Sequence, residues 1–277
     1  MKRLWSASPL TYFALIAACL LSITPFYFMF IIASRKLEVI NAVPPPVLPG
    51  GDFGENFGRV LANDHAAFLY GLVNSIVVST IVTVSLVFFS ALAGFAFAKL
   101  RFGGKNTMLL IIIATMMIPT QLGVIPLYDM MVNFFHLEAT LPAVILPFLV
   151  SGFGVFMMRQ YASSAVSDEL IEAARVDGCT TFRIFWSVVL PALRPAMGVL
   201  GLLTFMEQWN SFLWPYAILD ADTPTVQVSL ALLASAYYTD YAQVFAATAV
   251  ATLPLLIVFV IFGRQIIGGI MEGAVKA

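Results

Sequence analysis

The chain has 277 residues, 61% of them hydrophobic and only 10% charged, with 14 Lys and Arg against 15 Asp and Glu. A soluble domain carries about 25% charged and 45–50% apolar residues, so a single aqueous core cannot hide this surface and the lipid bilayer is the expected solvent. The near-neutral balance argues against a nucleic-acid partner.

Six segments approach the roughly 20 apolar residues needed to cross about 30 Å of hydrocarbon. They run from Leu10 to Ile32, Tyr70 to Phe97, Thr107 to Tyr128, Leu141 to Met158, Ala196 to Ala217 and Val244 to Phe262. The expected fold is all-α and integral to the membrane. It has six transmembrane helices in one domain, residues 1–277, with core helices at about 70–265 and a cytoplasmic tail at 264–277.

Met1-Lys2-Arg3 before the first segment also suits a signal peptide, and Ile16-Ala17-Ala18-Cys19 resembles a lipoprotein cleavage box. A signal peptide has an apolar core of about 7–15 residues, whereas this run continues to Ile32. It reads as a membrane helix, with Cys19 a small residue packed within the membrane. The only other cysteine, Cys179, falls on the cytoplasmic side, so an internal disulfide is not expected. The first loop carries Pro44-Pro45-Pro46 and Gly50-Gly51, which favour extended backbone and break helices.

Of the 14 basic residues, eleven lie on one face: at the N-terminus, in the loops around Lys99–Lys105 and Arg159–Arg194, and after the last helix. Basic residues accumulate in cytoplasmic loops, so both termini and the fourth loop are expected to be cytoplasmic. Asp52, Glu55, Asp64, Asp129, Glu138, Asp220, Asp222 and Asp240 fall in the opposite loops.

The fourth loop, DELIEAARVDGCTTFRIFWSVVLPALRP, interrupts the apolar chain. Ser167 can cap a helix whose first turn holds Asp168 and Glu169, where the helix dipole favours negative charge. Leu170, Ala173 and Ala174 are expected on one side, and Gly178 permits the left-handed turn that ends the helix. A second short helix restarts at Thr181, set at an angle to the first, and Pro191 and Pro195 mark re-entry into the membrane. On this pattern alone the loop is equally an amphipathic connector lying in the interface.

Spacing is more specific than pattern. Glu172-Ala173-Ala174, three residues, Gly178, nine residues, then Val188-Val189-Leu190-Pro191 resembles the EAA signature of binding-protein-dependent ABC importer permeases, Val188 standing where Ile is usual. The resemblance implies that residues 162–191 form a coupling loop docking on a separate ATPase. Glu172 would supply charge for a basic partner, Ala173 and Ala174 close approach, and Gly178 the angle, with Asp177, Leu190 and Pro191 completing the motif. Val166 departs from the Pro often found before this helix.

Met117 to Gln121 followed by Ile125 to Tyr128, and Phe205 to Pro215, resemble segments of the carbohydrate-uptake permeases. The tail Gly269 to Lys276 resembles the Gly-rich ending of their maltose-permease-like second subunit, with Glu272 and Ala277 as departures. In those relatives the tail reaches between the ATPase subunits, which would make Gly269, Gly273 and Lys276 contacts; a frayed terminus is the alternative.

If the fifth helix enters near Pro195, Glu207 lies near mid-membrane at 1.5 Å per residue. A charge there costs about 2.5–3.5 kcal/mol and usually faces a bundle interior or watery cavity. Glu207, Gln208, Trp209 and Asn210 are candidates for the translocation path, with Thr120 and Gln121 beside the break at Pro119. Amides and an aromatic face suit sugar hydroxyls and a pyranose ring. Equally, Glu207 and Asn210 can satisfy neighbouring helices or the backbone near Pro215.

No His-Glu-x-x-His, Gly-x-Ser-x-Gly or Walker A motif occurs, so no catalytic residue, metal or cofactor is expected on this chain. The resemblance implies a permease subunit of a bacterial inner-membrane carbohydrate importer. Its partners would be a homologous second permease, two ATP-binding subunits carrying ATP and Mg, and an extracytoplasmic binding protein. A permease for glycerol phosphate or a polyol, or less readily a secondary carrier, remains the alternative.

Overall fold

The computed structural model describes residues 8–235 and 239–274, the last eleven of them as backbone. In chain order the helices are α1 (Pro9–Ala33), α2 (Leu37–Ile40), α3 (Phe53–Leu61), α4 (Phe68–Lys99), α5 (Lys105–Thr115), α6 (Val124–Asp129), α7 (Leu141–Ile145), α8 (Gly152–Ala165), α9 (Asp168–Val176), α10 (Thr181–Ile184), α11 (Leu190–Trp209), α12 (Leu213–Ile218), α13 (Val226–Ala234) and α14 (Tyr241–Ala274). No strand occurs among the described residues.

Among the described residues four helices are long and apolar enough to cross a membrane: Pro9–Ala33, Phe68–Lys99, Thr181–Trp209 and Tyr241–Gly263. The third and fourth sequence segments are each broken. Lys105–Thr115 and Thr120–Phe134 meet at 90°, and Leu141–Phe148 and Gly152–Ala165 at 40°, giving six spans if each pair counts as one. Each break has a local cause. Pro119 is extended before a 3₁₀ turn over Thr120–Gly123, and Ser151 adopts extended backbone while its hydroxyl accepts from the Gly154 amide and starts a new helix.

The contacts divide the chain into two compact units, Met1–Phe68 with Leu230–Thr252, and Leu69–Ser229 with Leu253–Ala277. In the first, the loop after α1 is more ordered than its prolines suggest. Asn56 on α3 is buried because its amide nitrogen donates to Ala33 O at 2.8 Å and Arg35 O at 2.9 Å, so the cost of burying it is offset. Arg59, one turn on, pairs with Asp240, and Phe30, Phe53, Phe57 and Phe68 form a chain of ring contacts. Cys19 is exposed on α1 rather than packed against other residues of the chain, because only the last turn of that helix is buried.

Two apolar clusters stand out among the described residues of the second unit. One joins α4, α8, α9 and the helical run from Thr181 onward through Phe95, Met158, Ile171, Phe185 and Leu193. Glycines make its closest approach: a Cβ on Gly94 would lie 2.6 Å from Met158 Cβ and 2.8 Å from the Arg159 amide, so the α4 and α8 backbones pass almost in contact. The other gathers Trp214 and Ile218 of α12 with Val144, Met131 and the flank of α6. Trp214 Nε1 donates to Ala143 O at 3.2 Å within it.

Candidate coupling loop and translocation path

The loop at 162–191 is built from both ends. Val166 closes α8 with its amide on Ala162 O and its side chain buried. Ser167 then caps α9, its hydroxyl accepting from the Leu170 amide at 3.4 Å. At the far end Gly178 takes φ +75°. Its amide reaches Arg175 O at 3.0 Å, and the Cys179 amide reaches Ala174 O at 2.9 Å. This paired closure satisfies carbonyls that the helix end leaves open. Thr180 caps the next helix, its hydroxyl accepting from the Arg183 amide at 3.3 Å.

Two sequence expectations are corrected here. Leu170, Ala173 and Ala174 do not share one environment: Ile171 and Ala174 turn toward the core, while Leu170, Ala173 and Val176 are exposed. Ile171 is buried in the apolar cluster that α4, α8 and the run from Thr181 share, which leaves an exposed surface carrying Glu172, Ala173 and Val176. Nor is the helix restarting at Thr181 a separate short piece. It runs continuously into the fifth span through a π turn at Phe185–Val189, immediately before Pro191, which has no amide to donate. Phe185 on this turn is buried beside Phe88, Phe95 and Trp186. Leu190 is half-buried and Pro191 exposed, as are Asp177 and Gly178.

An ion pair that sequence reading missed also fixes the loop. Lys99, the last residue of α4, donates to Asp168 at 2.8 Å. That hydrogen bond, and then the charge of the same ammonium, hold the Asp168 carboxyl below the usual carboxylate range. Lys105 donates to Leu100 O at 3.0 Å and caps the same helix end. A high density of basic residues was the only signal available for these contacts.

The second set of candidates lies at the helix breaks. α11 stops at Trp209, and Asn210 closes it with its side-chain amide on Met206 O at 2.7 Å. Gln227 donates to Trp209 O at 3.3 Å. The chain then restarts as α12. Glu207 and Asn210 are exposed and Gln208 is half-buried, whereas Trp209 is buried and stacked on Phe205. Thr120 and Gln121 are exposed on the 3₁₀ turn beside Pro119. α6 and α12, the segments following the two breaks, pack against each other. Trp209 thus sits apart in environment from its polar neighbours, which remain accessible.

Gly269 and Gly273 fall within the helical backbone of α14 rather than in a separate Gly-rich tail, and Lys276 lies outside the described residues. No group of three or more His, Cys, Asp or Glu able to hold a metal occurs among the described residues.

Residues 87–270 match the family described as binding-protein-dependent transport system inner membrane component. The chain belongs to that family. It is a multi-pass inner-membrane permease of a binding-protein-dependent ABC importer, without a cofactor of its own, and ATP is handled by a partner ATPase. The permease is 34% identical over 227 residues to the arabinooligosaccharides transport system permease protein AraQ of Bacillus subtilis (strain 168), covering 79% of this chain and 80% of that one. It is 34% identical over 266 residues to the lactose transport system permease protein LacG of Rhizobium radiobacter, covering 96% and 95%. Its fold is similar to a bacterial ABC transporter involved in import of the acidic polysaccharide alginate, with TM-score 0.78, 23% identity and coverage of 94% and 98%.

Proposed function

We propose that this permease forms half of the translocation path of a carbohydrate importer and transmits ATP-driven motion through residues 162–191. It would cross the membrane six times with both termini cytoplasmic, as one domain over 1–277, beside a homologous second permease. Two ATP-binding subunits with ATP and Mg, and an extracytoplasmic binding protein, complete the assembly. A sugar or oligosaccharide cargo is supported by the resemblance to AraQ and LacG.

The observation carrying this reading is the form of the loop. Ile171 and Phe185 anchor it to the membrane helices, while Glu172, Ala173, Asp177 and Gly178 stay exposed between two capped helix ends. A load on that surface passes through the turn at Gly178 into the helix from Thr181 to Trp209, which is continuous. Its far end carries Glu207, with Gln208, Asn210, Thr120 and Gln121 offering polar groups to a cargo. Gly269, Gly273 and Lys276 would approach the ATPase from the end of α14.

Co-purification in mild detergent tests this reading. The tagged permease should carry an ATP-binding subunit and a second permease. Altering 172–178 should release the ATP-binding subunit while the second permease stays bound. Recovery of the chain alone, active in flux without ATP, would favour a secondary carrier.

A further inference from the structure

We infer that Glu207 acts as a charge filter in this chain's half of the path, admitting uncharged sugars and rejecting anionic cargo such as phosphorylated or uronic-acid sugars. The inference rests on the proposed path through the helix breaks and adds a specificity-determining residue to it.

The exposed face of α11 carries Leu203, Met206, Glu207 and Asn210, while Leu200, Leu202, Thr204 and Trp209 point into the chain. Glu207 lies 13 residues, about 20 Å of helix, beyond Arg194, the last basic residue on the loop side. That depth is inside the hydrocarbon of a bilayer about 30 Å thick. A carboxylate there does not face lipid; it faces water or a partner that encloses water with it.

The carboxylate is also uncompensated. Among the described residues Glu207 has no ion pair or hydrogen bond. The sequence contains no Lys or Arg at 106–158 or 195–263, the stretches holding both breaks. Exposed Asp129, Glu138, Asp220 and Asp222 lie on the segments at the α6 and α12 ends. An anion reaching Glu207 therefore meets like charge with no Lys or Arg from either break of this chain to offset it, and such juxtaposition is a means of rejection. A neutral sugar instead meets the amide and hydroxyl groups of Gln208, Asn210, Thr120 and Gln121. The cargo class of relatives named for sn-glycerol-3-phosphate, 30% identical to this chain, is disfavoured by the same argument.

The test uses the assembled importer with both native cysteines replaced (C19S, C179S) and one thiol introduced by N210C. Labelling rates are compared for a cationic and an anionic methanethiosulfonate, with Glu207 intact and in E207Q. The cation-to-anion rate ratio should fall at least about fivefold in E207Q, the size expected for one charge within a few ångströms of a partly wet thiol. An unreactive thiol or a ratio unchanged by E207Q overturns the filter. Charge-selective labelling in a complex that moves no sugar with ATP would instead overturn the importer reading and leave the filter standing.

Discussion

The ammonium of Lys99 lies 2.8 Å from a carboxylate oxygen of Asp168, 69 residues later, and joins the end of α4 to the first turn of α9. The two partners are not equivalent. The Lys99 side chain is 9% exposed and that of Asp168 76%. Removing the aspartate strands a poorly hydrated ammonium, whereas removing the lysine leaves a carboxylate in water at a helix N-terminus, where it is already favoured. D168N should therefore reduce uptake and thermal stability more than K99M. Because the Asp168 carboxyl titrates below its ordinary value of about 3.9, the pair's contribution is full above that value and is lost only as pH falls through the lower, folded-state value. Uptake measured between pH 5.5 and 8 should show no inflection that D168N removes.

The α4–α8 contact gives a sharper stability test. A Cβ on Gly94 would meet Met158 Cβ at 2.6 Å, its carbonyl carbon at 2.7 Å and the Arg159 amide at 2.8 Å, and backbone cannot rotate away. G94A should destabilise the permease by about 1–3 kcal/mol, the usual range for overpacking. Gly201 is the control, since its Cβ would meet only methyl groups at 3.7 Å. G201A should be close to neutral. Thermal unfolding of the detergent-solubilised protein separates the two; equal effects would mean that helix propensity, not close approach, decides.

How much of this was readable beforehand depended on the range of the interaction. The Ser167 cap, the turn at Gly178 and the restart at Thr181 are local, each decided by a few adjacent residues, and they stand where the sequence placed them. The packing direction of α9 was not local. Leu170, Ile171, Ala173 and Ala174 are all apolar, and that Ile171 is the one buried in the cluster with Phe95, Met158 and Phe185 is decided by packing against residues distant in sequence. The continuity of the helix through Pro191 was missed because proline reads as an interruption, while the π turn preceding it absorbs the missing donor. Polar residues at the breaks were visible as a group, but the burial of Trp209 beside exposed Glu207 and Asn210 needed the end of α11 to be known.

Val166 can be tested against the proline often found at this position in similar permeases. Its amide donates to Ala162 O at 3.3 Å, its φ is −109°, and its side chain is buried in the cluster that anchors α9. Proline would remove the donor and pull φ toward about −65°. V166P should cost about 1–2 kcal/mol, chiefly from the lost hydrogen bond and the altered entry angle. V166A, which keeps the amide but opens a cavity, should be destabilising through packing alone. If V166P unfolds at a temperature equal to or above the wild type, this turn is already compatible with the family's usual residue.

Gly178 separates conformation from bulk. No heavy atom lies within 4 Å of a Cβ placed there, so any side chain fits sterically, yet φ is +75° and the two amides that close α9 depend on it. An L-residue other than Gly in this region costs roughly 1–2 kcal/mol, and Asn less because its side chain tolerates the conformation. A β-branched residue is worse still. The expected order of uptake is G178N above G178A above G178V, with membrane insertion and the Ile171 anchor retained in all three. ATP hydrolysis that persists in G178V while uptake fails would locate the defect in coupling, because the angle between α9 and the helix from Thr181 is the one feature this backbone turn controls. Normal uptake in G178V would instead show that the exposed surface of α9 carries no load.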